Sequence, residues 1–284
     1  MTAGLDRLTP LEFVRLINEE DRSVVEAVGR QAAAMADAIE EVSHRLAGSG
    51  RLFYVGSGTS GRLGVLDAVE CPPTFDTDPE LVQGVIAGGE SALVTAVEGA
   101  EDDPVAGAAD LLGRGLRATD AVVGIAASGT TPYVLGAVHY AKEIGAWTAG
   151  VTCNDGAPLS EIVDCPIAVV VGPEVLAGST RLKAGTATKL VLNTLSTGVM
   201  VRLGKTYGNL MVDLRASNEK LRGRARRLLT TLTGLSGAEG EELLGRCAGE
   251  LKTAVLVARL GVTAEEARSR LKDCSGQLRK ALGE

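Results

Sequence analysis

The chain has 284 residues, enough for one large domain or two small ones whose core needs no disulfides. Apolar residues make up 45% and charged residues 23%, a composition that excludes a disordered protein. The net charge of −7 argues against a nucleic-acid partner. Because the N-terminus lacks the order of a signal peptide and no long apolar stretch follows, we expect a cytoplasmic protein without membrane contact.

Cysteine and histidine are too sparse to suggest a metal site. The five cysteines stand far apart without a CxxC pair, so we interpret them as small buried apolar residues. The two histidines, His44 and His139, both fall in predicted helices. We therefore expect no metal and no organic cofactor, and we expect carboxylates to carry any acid–base chemistry.

Helical periodicity over residues 9–48 predicts N-terminal helices that end at the glycines of 48–50. From residue 51 onward, short β-rich runs alternate with helical segments. The predicted strands are 51–55, 81–86, 120–125, 147–152 and 167–171. This alternation predicts an α/β protein with a doubly wound, five-stranded parallel sheet, in which ligands bind beyond the carboxyl ends of the strands.

A long helix is predicted over about 181–203, and everything from Asn209 onward is interpreted as helical. Breaks are predicted near 234–237 and near Gly261, where Thr263 has the position of a helix cap. The predicted parts are an N-terminal helical segment at 1–50, the sheet domain at 51–207 and a C-terminal helical subdomain at 208–284.

The loop after the first predicted strand combines glycines with hydroxyls. Gly56, Gly58 and Gly61 match the GxGxxG pattern of dinucleotide-binding proteins, but the acidic residue of that fingerprint arrives late, at Glu90. The interleaved hydroxyl residues are Ser57, Thr59 and Ser60. Hydroxyls and backbone N–H groups at a helix N-terminus make a neutral cradle for one phosphate, which we favour over a turn that merely needs glycine.

A second hydroxyl-rich loop follows the third predicted strand. Its residues are Ser128, Gly129, Thr130 and Thr131. Pro132 comes next, near the first turn of a predicted helix, where its missing N–H costs nothing. Because the carboxyl ends of parallel strands meet at one edge of the sheet, the two loops are predicted to converge on one phosphate without any lysine.

These loops resemble those of the sugar isomerase (SIS) domain family, whose sheet holds phosphosugars through Ser/Thr loops. Further motifs narrow the resemblance to the N-acetylmuramic acid 6-phosphate etherase family. The motifs are GTSGRLG at 58–64, ECPPTF at 70–75, EGAED at 98–102, STRLKAGT at 179–186 and NLMVD at 209–213. The similarity runs from about Leu11 to Leu282. Two positions depart from the family pattern, Thr130 where arginine is usual and Asp76 where glycine is usual.

The resemblance implies a lyase that removes lactate from a sugar phosphate in cell-wall amino-sugar recycling. Ring opening would expose an aldehyde that acidifies the proton on carbon 2. Lactate lies β to that carbonyl, so a base and an acid allow elimination, and water then adds across the double bond. Each proton transfer can be worth roughly 10²–10⁴-fold.

The resemblance places Glu70 and Glu101 at the catalytic positions of the family. Glu70 precedes Pro72 and Pro73, which we expect to end its helix, and a helix C-terminus disfavours a carboxylate. We therefore assign Glu70 to protonating the lactate oxygen, alone or after taking the carbon 2 proton itself. Glu101 is the second acid–base group, with ring opening as its candidate step. Without the resemblance, Glu101 could equally belong to a solvated acidic turn.

Helix length suggests that active sites are shared between subunits. A continuous helix from Ser60 to Glu70 would be about 15 Å long, beyond the reach of a sugar held by its phosphate at Ser60. Either residues near Gly61 and Gly64 shorten the helix, or Glu70 serves the pocket of a second subunit. We favour a homodimer with shared sites, which the resemblance also suggests.

Several residues and functions keep two interpretations. Ser179, Thr180 and Lys183 could line the site and add positive charge, or they could simply start a helix with an exposed lysine. Asn209 and Asn218 could hold the acetamido group or bond within turns, and they stay unassigned. Two other functions remain open: a phosphosugar sensor without turnover, and an aldose–ketose isomerase, which shares ring opening and carbon 2 deprotonation.

Overall fold

The computed structural model describes residues 4–213 and 219–284, so Asn218 lies outside the described residues. The described residues form two compact units. The first contains the chain up to Val69 together with Glu80–Ser196, and the second contains Glu70–Pro79 with the described residues from Thr197 onward. The three-part division predicted from the sequence stays a prediction.

Two N-terminal helices confirm the helical periodicity of residues 9–48. A short 3-10 helix, Leu5–Arg7, is followed by α1 (Pro10–Gly29) and α2 (Ala32–Ala47). Helix α1 begins with a capping box, in which Thr9 and Glu12 exchange side-chain to backbone hydrogen bonds.

Five parallel strands in the order β2-β1-β3-β4-β5 confirm the predicted fold class. Their bounds are Leu52–Gly56 for β1, Val82–Ile86 for β2, Ala121–Ile125 for β3, Trp147–Thr152 for β4 and Cys165–Ala168 for β5. All residues of β1 and β3 are buried, as expected for parallel strands whose two faces are both covered. The strand order reverses between β1 and β3, so their carboxyl ends border the crevice where such sheets bind ligands.

The fifth strand lies earlier than predicted, at Cys165–Ala168 and not at 167–171. It is an edge strand, where the exposed Pro166 is tolerated because its missing N–H has no partner to serve. The chain then leaves the sheet, and Val170 is 47% exposed. The apolar run at 167–171 therefore predicted the end of the strand incorrectly.

Helices α3 (Gly58–Phe75), α4 (Pro104–Gly113), α5 (Pro132–Ile144) and α6 (Pro158–Ile162) connect the strands. Two 3-10 turns, Glu90–Leu93 and Ala100–Asp102, precede α4.

Helices α4 and α5 touch through their backbones. A Cβ atom on Gly107 would lie 2.0 Å from the carbonyl oxygen of Tyr133, and one on Gly136 would lie 2.0 Å from that of Pro104. Only glycine permits so close an approach. The contact holds the first turns of the two helices side by side.

Helix α3 continues through Pro72 and Pro73 to Phe75, so the prediction that these prolines end it was wrong. The prolines remove only their own two N–H groups, and the N–H of Asp76 donates to the carbonyl of Pro72 at 2.9 Å. Burial of Phe75 holds the last turn against the local preference of the prolines. Glu70 thus lies inside the helix, and the helix-end reason for its role as proton donor does not apply.

The long predicted helix is α7, Lys183–Arg202. A small antiparallel hairpin follows, with β6 at Thr206–Tyr207 and β7 at Leu210–Met211, so the prediction of unbroken helix from Asn209 was wrong. Gly208 turns the chain with a φ of +58°, the left-handed conformation that such two-residue hairpin loops require.

The C-terminal segment is otherwise helical, with two breaks that were not predicted, at 247–250 and at 274–277. Its helices are α8 (Glu219–Thr233), α9 (Gly237–Arg246), α10 (Leu251–Leu260), α11 (Ala264–Asp273) and α12 (Leu278–Leu282). Capping boxes at Ser236 and Thr263 start α9 and α11, which confirms the predicted break and the predicted cap.

Candidate active site

The loop between β1 and α3 meets the turn that precedes α4. The Ser57 hydroxyl donates to Oε2 of Glu101 at 3.1 Å, across 44 residues of sequence. Glu101 lies in the Ala100–Asp102 turn, and the next residue, Asp103, caps α4. The structure therefore brings the first predicted phosphate loop together with one predicted catalytic carboxylate, whose side chain is exposed but engaged.

A cavity of about 190 Å³ opens beside this contact, within the first unit. Its polar lining is Ser57, Gly58, Arg62, Glu98, Gly99 and Glu101. Its apolar lining is Ala87, Ala92, Ala96, Val97 and Ala100. Pockets for whole drug-sized ligands usually measure about 300–1,000 Å³, so this cavity suits one substituent of a substrate.

Arg62 is a charged residue of the site that the sequence analysis missed. It is half-buried, and its Nε donates to the carbonyl of Leu93 at 3.1 Å. Across residues 4–213 and 219–284, no other hydrogen bond or ion pair of its guanidinium group is found. The available signal was its position, four residues after Gly58 on the same helix, since such residues share a helix face.

The second predicted loop lies after β3. Ser128 Oγ accepts hydrogen bonds from the backbone N–H of Thr130 at 3.2 Å and from the Thr130 hydroxyl at 3.0 Å. Gly129 has a φ of +71°, and a Cβ there would lie 2.4 Å from that of Ala157. Thr131 precedes α5 without capping it, and Pro132 is the first helical residue, as predicted.

The two hydroxyl loops start from paired positions at one edge of the sheet. Gly56 at the end of β1 pairs with Ile125 at the end of β3. Thr59 and Ser60 are half-buried in the first turn of α3. Thr59 also approaches α7, because a Cβ on Gly185 would lie 3.6 Å from its methyl carbon. Both loops thus start at the carboxyl ends of neighbouring strands, β1 and β3; that they converge on one phosphate stays a prediction.

Two carboxylates of the protein itself bind the polar groups at the start of α7. The Glu174 carboxylate accepts the backbone N–H groups of Lys183 at 3.0 Å and Ala184 at 2.9 Å. Lys183 is only 2% exposed, and its Nζ donates to Glu20 of α1 at 2.7 Å. The alternative of an exposed lysine was therefore wrong. The charge of Lys183 is paired with Glu20, and the prediction that Lys183 lines the site stays a prediction. The STRLKAGT motif did not indicate Glu20 or Glu174. Glu20 lies far from the motif in the sequence, and Glu174 lies in the loop that precedes it.

The remaining predicted residues lie outside this cluster of contacts. Ser179 is half-buried and Thr180 exposed, just before α7. Glu70 is exposed on α3 and belongs to the second unit, so it is described apart from Glu101. Asn209 is exposed in the turn of the small hairpin.

The cysteines match the interpretation as small apolar residues. Four are buried and Cys274 is half-buried. Burial and the charge of Glu174 raise the pKa of the Cys153 thiol to about 11. Among the described residues, no three acidic, histidine or cysteine side chains are grouped for a metal ion. In the same parts of the chain, no helix is both long and apolar enough to cross a membrane.

The fold and its two loops define an SIS domain protein. The family model of the glucokinase regulatory protein N-terminal SIS domain matches residues 34–142. A phosphoheptose isomerase from Neisseria gonorrhoeae has a similar structure, with a TM-score of 0.51 and 20% identity over 66% of this chain and 95% of that one. The phosphoheptose isomerase of Francisella tularensis also has a TM-score of 0.51 and 20% identity, over 68% of this chain and 100% of its own. At this identity the likeness shows the fold alone.

Curated relatives narrow the class. A protein of Rubrobacter xylanophilus is 59% identical over 100% of this chain and 93% of its own length. One from Rhodopirellula baltica is 52% identical over 99% and 93%, and one from Gloeobacter violaceus is 61% identical over 90% and 84%. All three are named N-acetylmuramic acid 6-phosphate etherase. The chain belongs to the N-acetylmuramic acid 6-phosphate etherase family, which confirms the predicted resemblance.

Proposed function

We propose that the protein is a carbon–oxygen lyase that converts N-acetylmuramic acid 6-phosphate into N-acetylglucosamine 6-phosphate and D-lactate. Family membership over nearly the whole chain supports the substrate. The observation that carries the chemistry is the hydrogen bond between Ser57 and Glu101, since it sets an acid–base group beside a phosphate-type loop. A cytoplasmic place in cell-wall amino-sugar recycling is part of the same proposal.

The hydroxyl loops after β1 and β3 would hold the phosphate in the crevice between these strands. Backbone N–H groups at the start of α3 add to them, because a helix N-terminus favours an anion. Anchoring by phosphate fixes the sugar so that its reactive carbons meet the carboxylates, which lowers the entropic cost of reaching the transition state.

The elimination balances with two proton carriers. A base takes the proton from carbon 2 of the open-chain aldehyde, the bond from carbon 3 to the ether oxygen breaks, and an acid protonates that oxygen as lactate leaves. Water then returns a hydroxyl to carbon 3 and a proton to carbon 2. Glu101 is one carrier, placed by Ser57.

Glu70 is the second proposed carrier, acting in the pocket of a partner subunit. Helix α3 is continuous from Gly58 to Phe75, so shortening near Gly61 and Gly64 is not observed. This continuity supports the alternative in which a second copy of the chain supplies Glu70. We therefore propose a homodimer with shared sites.

The test is incubation of the protein with N-acetylmuramic acid 6-phosphate and assay of D-lactate. The proposal expects lactate release, and Glu101→Gln is expected to lower kcat by roughly 10²–10⁴-fold because it removes the proton carrier but keeps the shape. Glu90→Gln, an exposed carboxylate outside the cavity lining, is the matched control. Conversion of an aldose 6-phosphate with a free carbon 2 hydroxyl into its ketose, without lactate release, would establish the isomerase instead, and tight binding without turnover would establish a sensor; either result contradicts the proposal.

A further inference from the structure

The cavity beside Glu101 and the second hydroxyl loop lie on opposite sides of β1. Ala87, in the cavity wall, follows β2, whereas Ser128 follows β3. Strand β1 lies between these two strands, so Ser57 at its end separates the two places. A phosphosugar anchored between β1 and β3 can therefore direct another substituent into the cavity on the β2 side.

The cavity lining combines two kinds of surface. Small aliphatic side chains form one wall, and the guanidinium group of Arg62 is the cation among the described residues that line it. Glu101 lies at the same cavity. A complementary substituent has a small apolar part, an anionic group and an atom that needs a proton.

The lactyl ether has these three features. Its methyl group matches the alanine wall, and its carboxylate matches a guanidinium, which binds carboxylates through two parallel hydrogen bonds. Its ether oxygen is the atom that must be protonated when lactate leaves. The cavity, at about 190 Å³, has room for this group and is smaller than the roughly 300–1,000 Å³ of pockets for drug-sized ligands.

We propose that this cavity is the lactyl subsite and that Arg62 binds the lactyl carboxylate. The proposal rests on the proposed function. It names the part of the protein that selects a lactyl ether over other phosphosugars. The bond from Arg62 Nε to the Leu93 carbonyl holds the guanidinium in place before the substrate arrives, which lowers the cost of ordering it on binding.

Charge makes Arg62 decisive for such a ligand. Glu98 lines the cavity together with Arg62, so a bound carboxylate would meet one like charge and one opposite charge. Without Arg62, the substrate carboxylate would meet repulsion alone. A ligand without the lactyl group would not encounter this repulsion.

The experiment compares two ligands that differ only in the lactyl group. With Arg62→Met, affinity for N-acetylmuramic acid 6-phosphate is expected to fall roughly 10- to 100-fold, the range for a hydrogen bond between charged groups. The affinity for N-acetylglucosamine 6-phosphate, measured by calorimetry, is expected to stay within about 2-fold, since that ligand leaves the cavity empty. Equal weakening of both would assign Arg62 to the phosphate, and an unchanged affinity for both would leave it without a role; each result overturns the proposal.

A second variant tests the apolar wall independently. Ala96 is exposed, so Ala96→Phe can fill the cavity with little effect on the core, and it is expected to weaken binding of the lactyl ligand alone. Arg22→Met is the control for Arg62→Met, because Arg22 forms an exposed ion pair with Glu19 away from the cavity lining. Both comparisons use binding, so they decide the lactyl subsite even if the wild-type protein releases no lactate, a result that would contradict only the proposed function.

Discussion

Asp76 has a φ of +50°, a left-handed conformation, at one of the two positions where the chain departs from its family pattern. Glycine adopts this conformation freely, and Asp tolerates it better than most residues. Asp at this position is therefore compatible with the turn that ends α3. At the other departure, Thr130 binds Ser128 through its hydroxyl, so the second loop is ordered by neutral groups where relatives usually have arginine.

Ala248 offers a direct measure of such backbone strain. It is exposed, has a φ of +55°, and lies just after the end of α9. Ala248→Gly is expected to raise the free energy of unfolding by about 1 kcal/mol, because a left-handed L-residue costs about 1–2 kcal/mol. Urea denaturation measures the change. Ala258→Gly, inside α10, is the control and should lower stability by about 1 kcal/mol; stabilisation by both variants, or by neither, would contradict this account.

At the scale of elements, alternation of apolar strands with helices was sufficient to predict a five-stranded parallel sheet but not the order of its strands. Local rules failed where tertiary position decided. Pro166 is compatible with a strand only because β5 is an edge, and α3 continues through Pro72 because its last turn is buried. The hairpin at 206–211 is too short for a periodic pattern to reveal.

Asp120 joins the starts of two strands at the end of the sheet away from the candidate site. Its buried carboxylate accepts the backbone N–H of Arg51 at 2.9 Å and pairs with the guanidinium groups of Arg51 and Arg117. Burial alone would raise the pKa of Asp120, but these hydrogen bonds hold it below its usual value of 3.8. The folded state therefore binds this proton less readily than the unfolded state.

This difference predicts how stability depends on pH. The contribution of Asp120 is present above the unfolded pKa of about 3.8 and is lost as pH falls through the lower folded value. Asp120→Asn is expected to cost about 1–3 kcal/mol at pH 7, since it removes the carboxylate that accepts charge-assisted hydrogen bonds from two partly exposed arginines, and to flatten the acid decline. Unfolding by urea at several pH values measures both. Glu242→Gln, on an exposed position of α9, is the control; an equal flattening there would contradict the assignment to Asp120.

At the scale of the whole molecule, the two predicted carboxylates belong to different units, Glu101 to the first and Glu70 to the second. Motifs in the sequence predicted the hydroxyl loops and both carboxylates as site residues, which stays a prediction. They did not reveal Arg62 as part of the cavity, nor the pairing of Lys183 with Glu20, because these depend on contacts between distant segments. Residue types in motifs could be found from the sequence, whereas the pairing of charges from distant segments could be found only from the fold.

The proposed sharing of sites predicts complementation between inactive chains. A Glu70→Ala chain and a chain with Ser128→Ala and Thr131→Ala are each expected to lack activity. In a mixed dimer, one pocket would have an intact hydroxyl loop from one chain and Glu70 from the other, so lactate release should return. Each variant mixed with itself is the control. Absence of recovery, with mixed dimers verified by differently tagged chains, would show that each pocket uses its own Glu70.

The pairing of Lys183 with Glu20 has a consequence for the N-terminal helix. Glu20 is the counterion of an ammonium group buried at the foot of α7, and Thr59 of the first hydroxyl loop lies against the same turn. Removal of α1 would leave that buried charge without its counterion, next to the loop proposed to anchor the phosphate. Helix α1 contributes no strand and no proposed catalytic group, but this ion pair connects it to the pocket. Its removal is therefore expected to weaken binding of the substrate phosphate.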